Sequence, residues 1–202
     1  MTQDAQKIRL ILELRQAGIT NTEILAAMER VPRDRFVPKA FGDRAYDGMA
    51  LPIGHGQTIS QPVVVARMIA ALHLNDRIKV LEIGAGSGYQ TAILSYLSRR
   101  VYAIERHRDL LLGAQKLLDE MRCYNVTAVV GDGTLGWPDQ APFERIIVSA
   151  AAPEIPTVLT DQLAEGGVMV IPVGDQRRDQ MIMRVTRRDG EIHTEDLWPV
   201  RF

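Results

Sequence analysis

The chain has 202 residues, of which 46% are hydrophobic and 24% charged, with a formal net charge of −1 and a single cysteine, Cys123. These values fit a folded protein with one hydrophobic core and exclude a disordered chain. They also exclude a global basic field that would attract nucleic acid or an anionic membrane, an internal disulfide and a multi-thiolate metal site. With neither a secretory signal nor an apolar run of about 18 residues, we expect a cytoplasmic protein without membrane, nucleic-acid or metal partners.

The N-terminal part is predicted to be a helical appendage followed by a long loop. Apolar residues at helical spacing predict a helix over 4–17, and residues 20–23 have the pattern of a capping box for a second helix. Residues 41–61 are rich in glycine and polar residues, which predicts an ordered loop or lid, and such loops are often functional. We assign 1–61 to this appendage and loop, and 62–202 to the core of one compact unit.

From Pro62 the pattern is typical of an α/β protein. Pro62 suits a first helical position, and an apolar stripe continues to Leu74. Short apolar runs then alternate with helical stretches, which predicts a mostly parallel sheet with helices on both faces. The strand candidates are 79–83, 101–104, 127–130, 145–148 and 168–173, and the helix candidates are 89–97, 109–122 and 157–164. Residues 180–187 and 195–202, joined by Asp189-Gly190, predict an antiparallel hairpin at the sheet edge.

The clearest local motif is Glu-Ile-Gly-Ala-Gly-Ser-Gly at residues 82–88. An apolar strand leads into three glycines at alternate positions, and a helix follows. Glycine lets the chain turn sharply and lets a ligand approach the backbone, and open α/β sheets bind ligands at this end of the strands. We expect the loop to bind a cofactor and Glu82 to place a negative charge beside it. The candidate cofactor-binding residues here are Glu82, Gly84, Gly86, Ser87 and Gly88.

The spacing of the glycines discriminates between cofactors. The dinucleotide fingerprint Gly-x-Gly-x-x-Gly would need a glycine at Tyr89, and no Gly-Lys-Ser/Thr follows for a phosphate-binding P-loop. The observed Glu-x-Gly-x-Gly-x-Gly pattern resembles motif I of the class I S-adenosylmethionine-dependent methyltransferases. That cofactor has no pyrophosphate, so its loop does not need a row of amides aimed at phosphates.

Two further acidic residues end the next two predicted strands. Glu105 is placed where a carboxylate can accept hydrogen bonds from both hydroxyls of an adenosine ribose, although NAD-binding folds have an acid at the same point. Asp132 lies in Gly131-Asp132-Gly133; the resemblance implies that it contacts the adenine, and a plain Asp-Gly turn is the alternative. Three successive strands would then present polar groups at one edge of the sheet, which favours the functional interpretation.

A more specific segment lies upstream of the glycine motif. Residues 54–62 read Gly-His-Gly-Gln-Thr-Ile-Ser-Gln-Pro, which resembles the hallmark loop of the protein-L-isoaspartate O-methyltransferases. Residues 150–153 (Ala-Ala-Ala-Pro) and 170–174 (Val-Ile-Pro-Val-Gly) also match this family, and the resemblance runs from about residue 5 to the C-terminus.

The resemblance implies a Rossmann-like class I methyltransferase fold. It also implies transfer of a methyl group from S-adenosyl-L-methionine to the free α-carboxylate of L-isoaspartyl residues in damaged proteins and peptides. The ester would then collapse to a succinimide that can reopen to normal aspartate. We expect a monomer with Ser60 as the catalytic residue and Thr58 and Ser60 at the substrate carboxylate. The implied cofactor contacts outside the glycine loop are Gln57, Thr58, Ile59, Ser60, Glu105, Arg106, Asp132 and Gly133.

The chemistry of this reaction explains why one catalytic hydroxyl can suffice. A carboxylate is ionised at neutral pH and needs no general base, and the methyl of a sulfonium is already activated. What remains is to align the reacting atoms and to exclude water. The hydroxyl of Ser60 can hold one carboxylate oxygen while the other attacks. The alternative for Ser60 is an N-cap of the helix that begins at Pro62.

Two other functions stay open from the sequence: a class I methyltransferase acting on a small molecule or nucleic acid, and a catalytically silent cofactor-binding module. The hallmark loop argues against both, and no basic or aromatic strip for bases is present. His55, in the same loop, receives no role. The chain ends at Val200-Arg201-Phe202, where the family commonly has a Val-Pro-Leu-type tail, so we expect a shorter cofactor lid.

Overall fold

A seven-stranded sheet with flanking helices forms the centre of the computed structural model, which describes residues 3–175 and 179–201. The helices are α1 (Gln3–Gln16), α2 (Thr22–Arg30), α3 (Pro62–Leu72), α4 (Tyr89–Leu97), α5 (Arg108–Glu120) and α6 (Thr157–Asp161). The strands are β1 (Leu51–Gly54), β2 (Gln57–Ile59), β3 (Lys79–Ile83), β4 (Arg100–Glu105), β5 (Val126–Val130), β6 (Phe143–Val148), β7 (Leu163–Val173), β8 (Gln180–Arg188) and β9 (Glu191–Val200). Short 3₁₀ segments include Arg33–Phe36, Lys39–Arg44 and Gly133–Leu135.

The order of the strands places a crevice at the centre of the sheet. The order is β5-β4-β3-β6-β7-β8-β9. The first five strands in this order are parallel to one another. Strand β8 is antiparallel to β7, and β9 is antiparallel to β8. The predicted parallel sheet and C-terminal hairpin are therefore confirmed. The chain first builds outward from β3 to β5 and then returns to place β6 on the other side of β3. Ligands of open α/β sheets bind outside the carboxyl ends of the strands at such a switch point.

One predicted helix boundary was wrong. The predicted helix 157–164 ends at Asp161, and residues from Leu163 belong to β7. Pairing with β6 extends the strand backward: Phe143 faces Leu163 and Arg145 faces Val168, with an irregular register between them. The start of β7 could not be predicted from the sequence, because Gly166 and Gly167 interrupt its run of apolar residues. Strand β9 likewise begins at residue 191, four residues earlier than predicted, and Phe202 lies outside the described residues.

The N-terminal helices share the hydrophobic core of the sheet. Helix α2 begins at Thr22, one residue later than a capping box with Thr20 as the N-cap would give. Its N-cap is Asn21, whose Oδ1 accepts from the backbone N–H groups of Glu23 and Ile24, both at 3.0 Å. Buried apolar side chains of α1 and α2, such as Leu14 and Met28, belong to one cluster with those of α3, α4 and β3. The appendage therefore packs directly on the elements that carry the glycine loop.

The segment 41–61, predicted as an ordered loop or lid, contains a two-stranded antiparallel ribbon. Strands β1 and β2 pair with Leu51 opposite Ile59, and we call residues 51–59 the flap. Its tip, 54–56, has three successive positive φ values, of 105° at Gly54, 52° at His55 and 69° at Gly56. Strands of four and three residues are too short for an alternating pattern to stand out, which is why the sequence did not predict them.

Two glycine substitutions test how α4 and α5 pack. Gly88 has φ +88° and a Cβ there would lie 2.9 Å from the Cβ of Ala114, whereas a Cβ on Gly113, within α5, meets nothing within 4 Å. Gly88→Ala should lower the free energy of unfolding by about 2–4 kcal/mol, from left-handed backbone strain plus overpacking. Gly113→Ala should raise it by roughly 0.5–1 kcal/mol, because alanine favours the helix. Urea denaturation of both variants measures this, and equal stabilities would contradict it.

Candidate active site

A cavity of about 310 Å³ lies at the carboxyl ends of the central strands, beneath the flap. Its size is at the lower end of the range for small-molecule sites. The predicted residues that line it are Gln57, Thr58, Ile59, Ser60, Gly84, Gly86, Ser87, Glu105, Arg106, Asp132 and Gly133. The structure thus brings the family loop, the glycine loop and the two strand-end acids together around one space. Glu82 and Gly88 are the predicted site residues that do not line it.

Glu105 fixes the glycine loop. Its side chain is buried, and Oε2 accepts a hydrogen bond from the N–H of Gly86 at 2.8 Å while Oε1 accepts one from the N–H of His107 at 2.8 Å. A carboxylate oxygen has two lone-pair sites, so each oxygen can accept a second hydrogen bond from a ligand in the cavity. This geometry suits a diol.

The glycines of the loop have distinct tasks. Gly84 (φ +87°) donates its N–H to the carbonyl of Ile104 at 2.8 Å, which ties the turn to β4. At Gly86 (φ +55°) a Cβ would lie 3.1 Å from Cδ1 of Ile53 on the flap, so a side chain there would adopt a strained backbone conformation and would require Ile53 to shift by a few tenths of an ångström. Gly88 faces α5 and not the cavity, so its place in the motif is explained by helix packing.

Asp132 is an exposed N-cap at the edge of the cavity. Its Oδ1 accepts from the backbone N–H of Thr134 at 3.0 Å and from the Thr134 hydroxyl at 2.8 Å. These bonds, the backbone one first, hold the pKa of Asp132 below its usual range, and the charge of Arg106 adds to the effect. Asp132 is therefore both a turn residue and an ionised group that can accept a hydrogen bond from a ligand. The neighbouring Gly133 is required because a Cβ there would lie 2.3 Å from Cγ2 of Ile83.

Glu82 lies behind the cavity wall and not in it. The side chain is fully buried; Oε1 accepts from Gln90 Nε2 at 3.0 Å and Oε2 from the Thr91 hydroxyl at 2.6 Å. Burial raises the pKa of Glu82 to about 7, aided by the charge of Glu105 and opposed by the hydrogen bonds from Thr91 and Gln90. Glu82 therefore does not line the cavity where a cofactor contact was expected, and its oxygens are engaged by Gln90 and Thr91 inside the fold.

Sequence reasoning missed the residues that Glu82 supports. Gln90 Nε2 also donates to Ser149 Oγ at 2.8 Å, and both side chains line the cavity. Because that oxygen accepts from Gln90, the Ser149 hydroxyl can donate its own proton toward the cavity. The signal was available for Ser149, which follows β6: the rule that selected the residues after β4 and β5 applies equally to the next parallel strand.

The tip of the flap docks beside Glu105. The ring of His55 stacks on that of His107 with centroids 4.7 Å apart and an interplanar angle of 19°. His55 Nε2 also lies 3.7 Å from Oδ2 of Asp109, the second residue of α5. His55 thus connects the flap to the segment after β4, a role that the sequence did not indicate.

Ser60 is half-buried and lines the cavity, and it is not the N-cap of α3. Because the helix begins at Pro62, the N-cap is Gln61, and Ser60 lies one residue before it. Gln61 makes no side-chain capping hydrogen bond. The capping alternative for Ser60 was therefore wrong. Its carbonyl accepts a hydrogen bond from Arg33 Nη2 at 2.8 Å.

Among residues 3–175 and 179–201, no group of three or more His, Cys, Asp and Glu side chains has an arrangement that could hold a metal ion. None of the helices in this part of the chain has the length and apolar character needed to cross a membrane.

The strand order and the site define the class of the Rossmann-like methyltransferases. A solved protein-L-isoaspartate O-methyltransferase superposes with a TM-score of 0.86 at 27% identity, over 97% of this chain and 64% of that one. A Plasmodium falciparum structure, described as a protein-L-isoaspartate O-methyltransferase in complex with S-adenosyl-L-homocysteine, gives a TM-score of 0.82 at 25% identity and covers 96% of this chain and 95% of its own.

Sequence comparison gives the family. The family model described as Protein-L-isoaspartate(D-aspartate) O-methyltransferase matches residues 5–202. Protein-L-isoaspartate O-methyltransferase of Rhodospirillum rubrum is 58% identical over 204 residues, covering 100% of this chain and 93% of the relative. Its counterpart in Rhodospirillum centenum is 55% identical over 203 residues, covering 100% and 92%. The chain belongs to the protein-L-isoaspartate O-methyltransferase family.

The buried carboxyl of Glu82 should make stability depend on pH. Its pKa rises from 4.5 to about 7 on folding, so the fold prefers the neutral form and loses stability as the pH rises through that interval. Glu82→Gln cannot ionise, and its amide can still accept from Gln90 and donate to Thr91. Relative to the parent, the variant should gain up to about 3 kcal/mol in free energy of unfolding between pH 5 and pH 8. Urea denaturation across that range tests this; a difference independent of pH would contradict it.

Proposed function

We propose that the protein transfers a methyl group from S-adenosyl-L-methionine to the free α-carboxylate of L-isoaspartyl residues in damaged proteins and peptides. The observation that carries this proposal is that the family loop, Gln57 to Ser60, lines the same cavity as the glycine loop and Glu105. Membership of the family supplies the substrate class. One cavity therefore holds both the residues for a cofactor and the serine for a substrate.

The residues of the cavity fit this cofactor. Glu105 offers two carboxylate oxygens to the ribose hydroxyls, and the ionised Asp132 offers an acceptor for the adenine amino group. The glycine loop would leave room for the methionine portion, since Gly84 and Gly86 line the cavity without side chains. The bound cofactor would supply a methyl group on a positively charged sulfonium, and acidic side chains around the cavity favour a cationic ligand.

Ser60 and Thr58 would bind the substrate carboxylate. In this proposal the hydroxyl of Ser60 donates a hydrogen bond to one carboxylate oxygen and leaves the second oxygen to attack the methyl carbon. No residue has to remove a proton, because the carboxylate is ionised at neutral pH. The flap above the cavity would exclude water and hold the two reacting atoms in line.

The proposal extends to the partners and the location. Proteins and peptides that contain L-isoaspartyl residues are the proposed partners, and we propose a monomer that acts in the cytoplasm without nucleic-acid or membrane partners. The net charge of −1 supports only the absence of nucleic-acid and membrane partners, because it provides no overall positive field to attract them.

The substrate class is tested with paired peptides that differ only in the linkage of one aspartyl residue. The isoaspartyl peptide should accept labelled methyl from S-adenosyl-L-methionine, and its normal aspartyl twin should not, because the two differ in where the carboxylate sits and not in net charge. Equal rates on both peptides would refute the proposal. Binding of S-adenosyl-L-homocysteine without transfer to either peptide would instead indicate a silent cofactor-binding module.

The role of Ser60 is tested by Ser60→Ala. Because Ser60 does not cap α3, the substitution should change the free energy of unfolding by less than about 0.5 kcal/mol. Turnover of the isoaspartyl peptide should fall by about 10- to 1000-fold, the range for one positioned hydrogen bond in a water-excluded site. Affinity for S-adenosyl-L-homocysteine, measured by calorimetry, should change little.

Ser98→Ala is the matched control. Ser98 is buried at the end of α4, where its hydroxyl donates to the carbonyl of Leu94 at 2.7 Å, and it does not line the cavity. This variant should lose about 1 kcal/mol of stability and keep its turnover. If Ser60→Ala turns over within twofold of the parent, the proposed role of Ser60 is wrong.

A further inference from the structure

Arg33 is a fully buried cation next to the candidate active site. It belongs to the 3₁₀ segment Arg33–Phe36, and its side chain has no exposed surface. Nε donates to the carbonyl of Ala45 at 2.8 Å, and Nη2 donates to the carbonyls of Met49 at 3.3 Å and Ser60 at 2.8 Å. The guanidinium therefore joins the segment before the flap to the peptide of Ser60.

Arg33 also contacts the wall of the cavity. Its guanidinium carbon lies 4.8 Å from the centre of the Tyr89 ring, and Tyr89 lines the cavity as the first residue of α4. Arg33 Nη1 and Tyr89 Oη are both buried and form no hydrogen bond of standard geometry with a described residue, although the guanidinium and the phenol interact electrostatically. A buried polar atom without a well-formed hydrogen bond is costly and rare and calls for a structural or functional reason.

The positive charge of Arg33 has no carboxylate to balance it. No ion pair joins it to an acidic residue in the part of the chain that the structure describes. Burial lowers the pKa of Arg33, but arginine stays protonated at neutral pH because its ordinary pKa is 12.5. The fold therefore keeps a buried cation, held by carbonyl groups and an aromatic ring and not by a carboxylate, in direct hydrogen-bond contact with the carbonyl of Ser60.

The cavity needs such a cation if its substrate is an anion. Its own charged residues are the carboxylates of Glu105 and Asp132 and the exposed Arg106. An incoming carboxylate would be repelled by the two acids, and a buried cation acts more strongly than an exposed one, because protein screens charge less than water does.

We propose that Arg33 is a positioning residue for the substrate carboxylate: it fixes the peptide of Ser60 and supplies the positive charge that favours an anion beside that serine. This inference rests on the proposed function. It gives residues 3–50, none of which lines the cavity, a part in substrate selection.

Two variants separate the hydrogen-bonding geometry of the guanidinium from its positive charge. Arg33→Lys keeps the charge and loses the planar arrangement of several N–H donors, and Arg33→Met loses both. Arg35→Met is the matched control, since Arg35 lies in the same 3₁₀ segment, pairs with Glu120 at the surface and does not line the cavity. All rates are expressed per S-adenosyl-L-homocysteine-binding site, so that unfolded protein does not count.

The first measurement is turnover of the isoaspartyl peptide. It should fall by about 10-fold or more in Arg33→Lys and in Arg33→Met, as expected when a reacting group is displaced. S-adenosyl-L-homocysteine affinity should stay within twofold of the parent, and Arg35→Met should match the parent in both respects. Turnover of Arg33→Lys within twofold of the parent would overturn the positioning role, and this variant alone decides the matter if Arg33→Met does not fold.

The second measurement isolates the charge. Dissociation constants are measured, with S-adenosyl-L-homocysteine bound, for the isoaspartyl peptide and for an analogue whose α-carboxylate is a carboxamide. The parent and Arg33→Lys should prefer the carboxylate, and Arg33→Met should lose about 10-fold or more of that preference. An unchanged preference in Arg33→Met, or its loss in Arg33→Lys, would overturn the charge role. The parent's failure to methylate the peptide would refute the proposed function, whereas these binding preferences would still decide the role of Arg33.

Discussion

The site depends on the hydrogen bonds between the Glu105 carboxylate and the backbone N–H groups of Gly86 and His107. They hold the glycine loop against the end of β4, and the rest of the site is built outward from this point. On one side Ile53 of the flap packs closely against Gly86, whose φ of +55° favours glycine; on the other the ring of His55 stacks on that of His107. The flap and the glycine loop are therefore both positioned by the buried carboxylate of Glu105.

The two acids of adjacent strands differ because their surroundings differ. Glu105 accepts backbone N–H groups at the cavity wall, where a ligand can complete its hydrogen bonding. Glu82 is enclosed among Thr91 and Gln90, and burial raises its pKa to about 7. It positions Gln90, which in turn fixes the direction of the Ser149 hydroxyl. A carboxylate in a cofactor motif can therefore serve the site by orienting amide and hydroxyl groups while touching no ligand itself.

The sheet could be predicted from the sequence because strands buried on both faces read as short apolar runs, as for Leu81 and Ile146, which are fully buried. The parallel arrangement then placed Glu105 and Asp132 at one edge. Other features depend on tertiary contacts: the flap strands are too short to leave a periodic pattern, and β7 reaches back to Leu163 only through its pairing with β6. The sequence before Pro62 did not indicate whether Ser60 or Gln61 is the N-cap of α3, and the structure shows that it is Gln61.

Arg33 shows most clearly what a sequence pattern leaves out. An arginine between Pro32 and Asp34 has the local signature of a solvated surface residue, since charged side chains are almost never fully buried unless paired. Its partners are the backbone carbonyls of Ala45, Met49 and Ser60. Because every residue has a backbone carbonyl, the sequence does not indicate which ones accept these hydrogen bonds. A guanidinium can satisfy several carbonyls at once and still keep its charge. Arg33 can therefore hold the peptide of Ser60 in place and add positive charge beside it. The pairing of the sheet strands does not itself provide either effect.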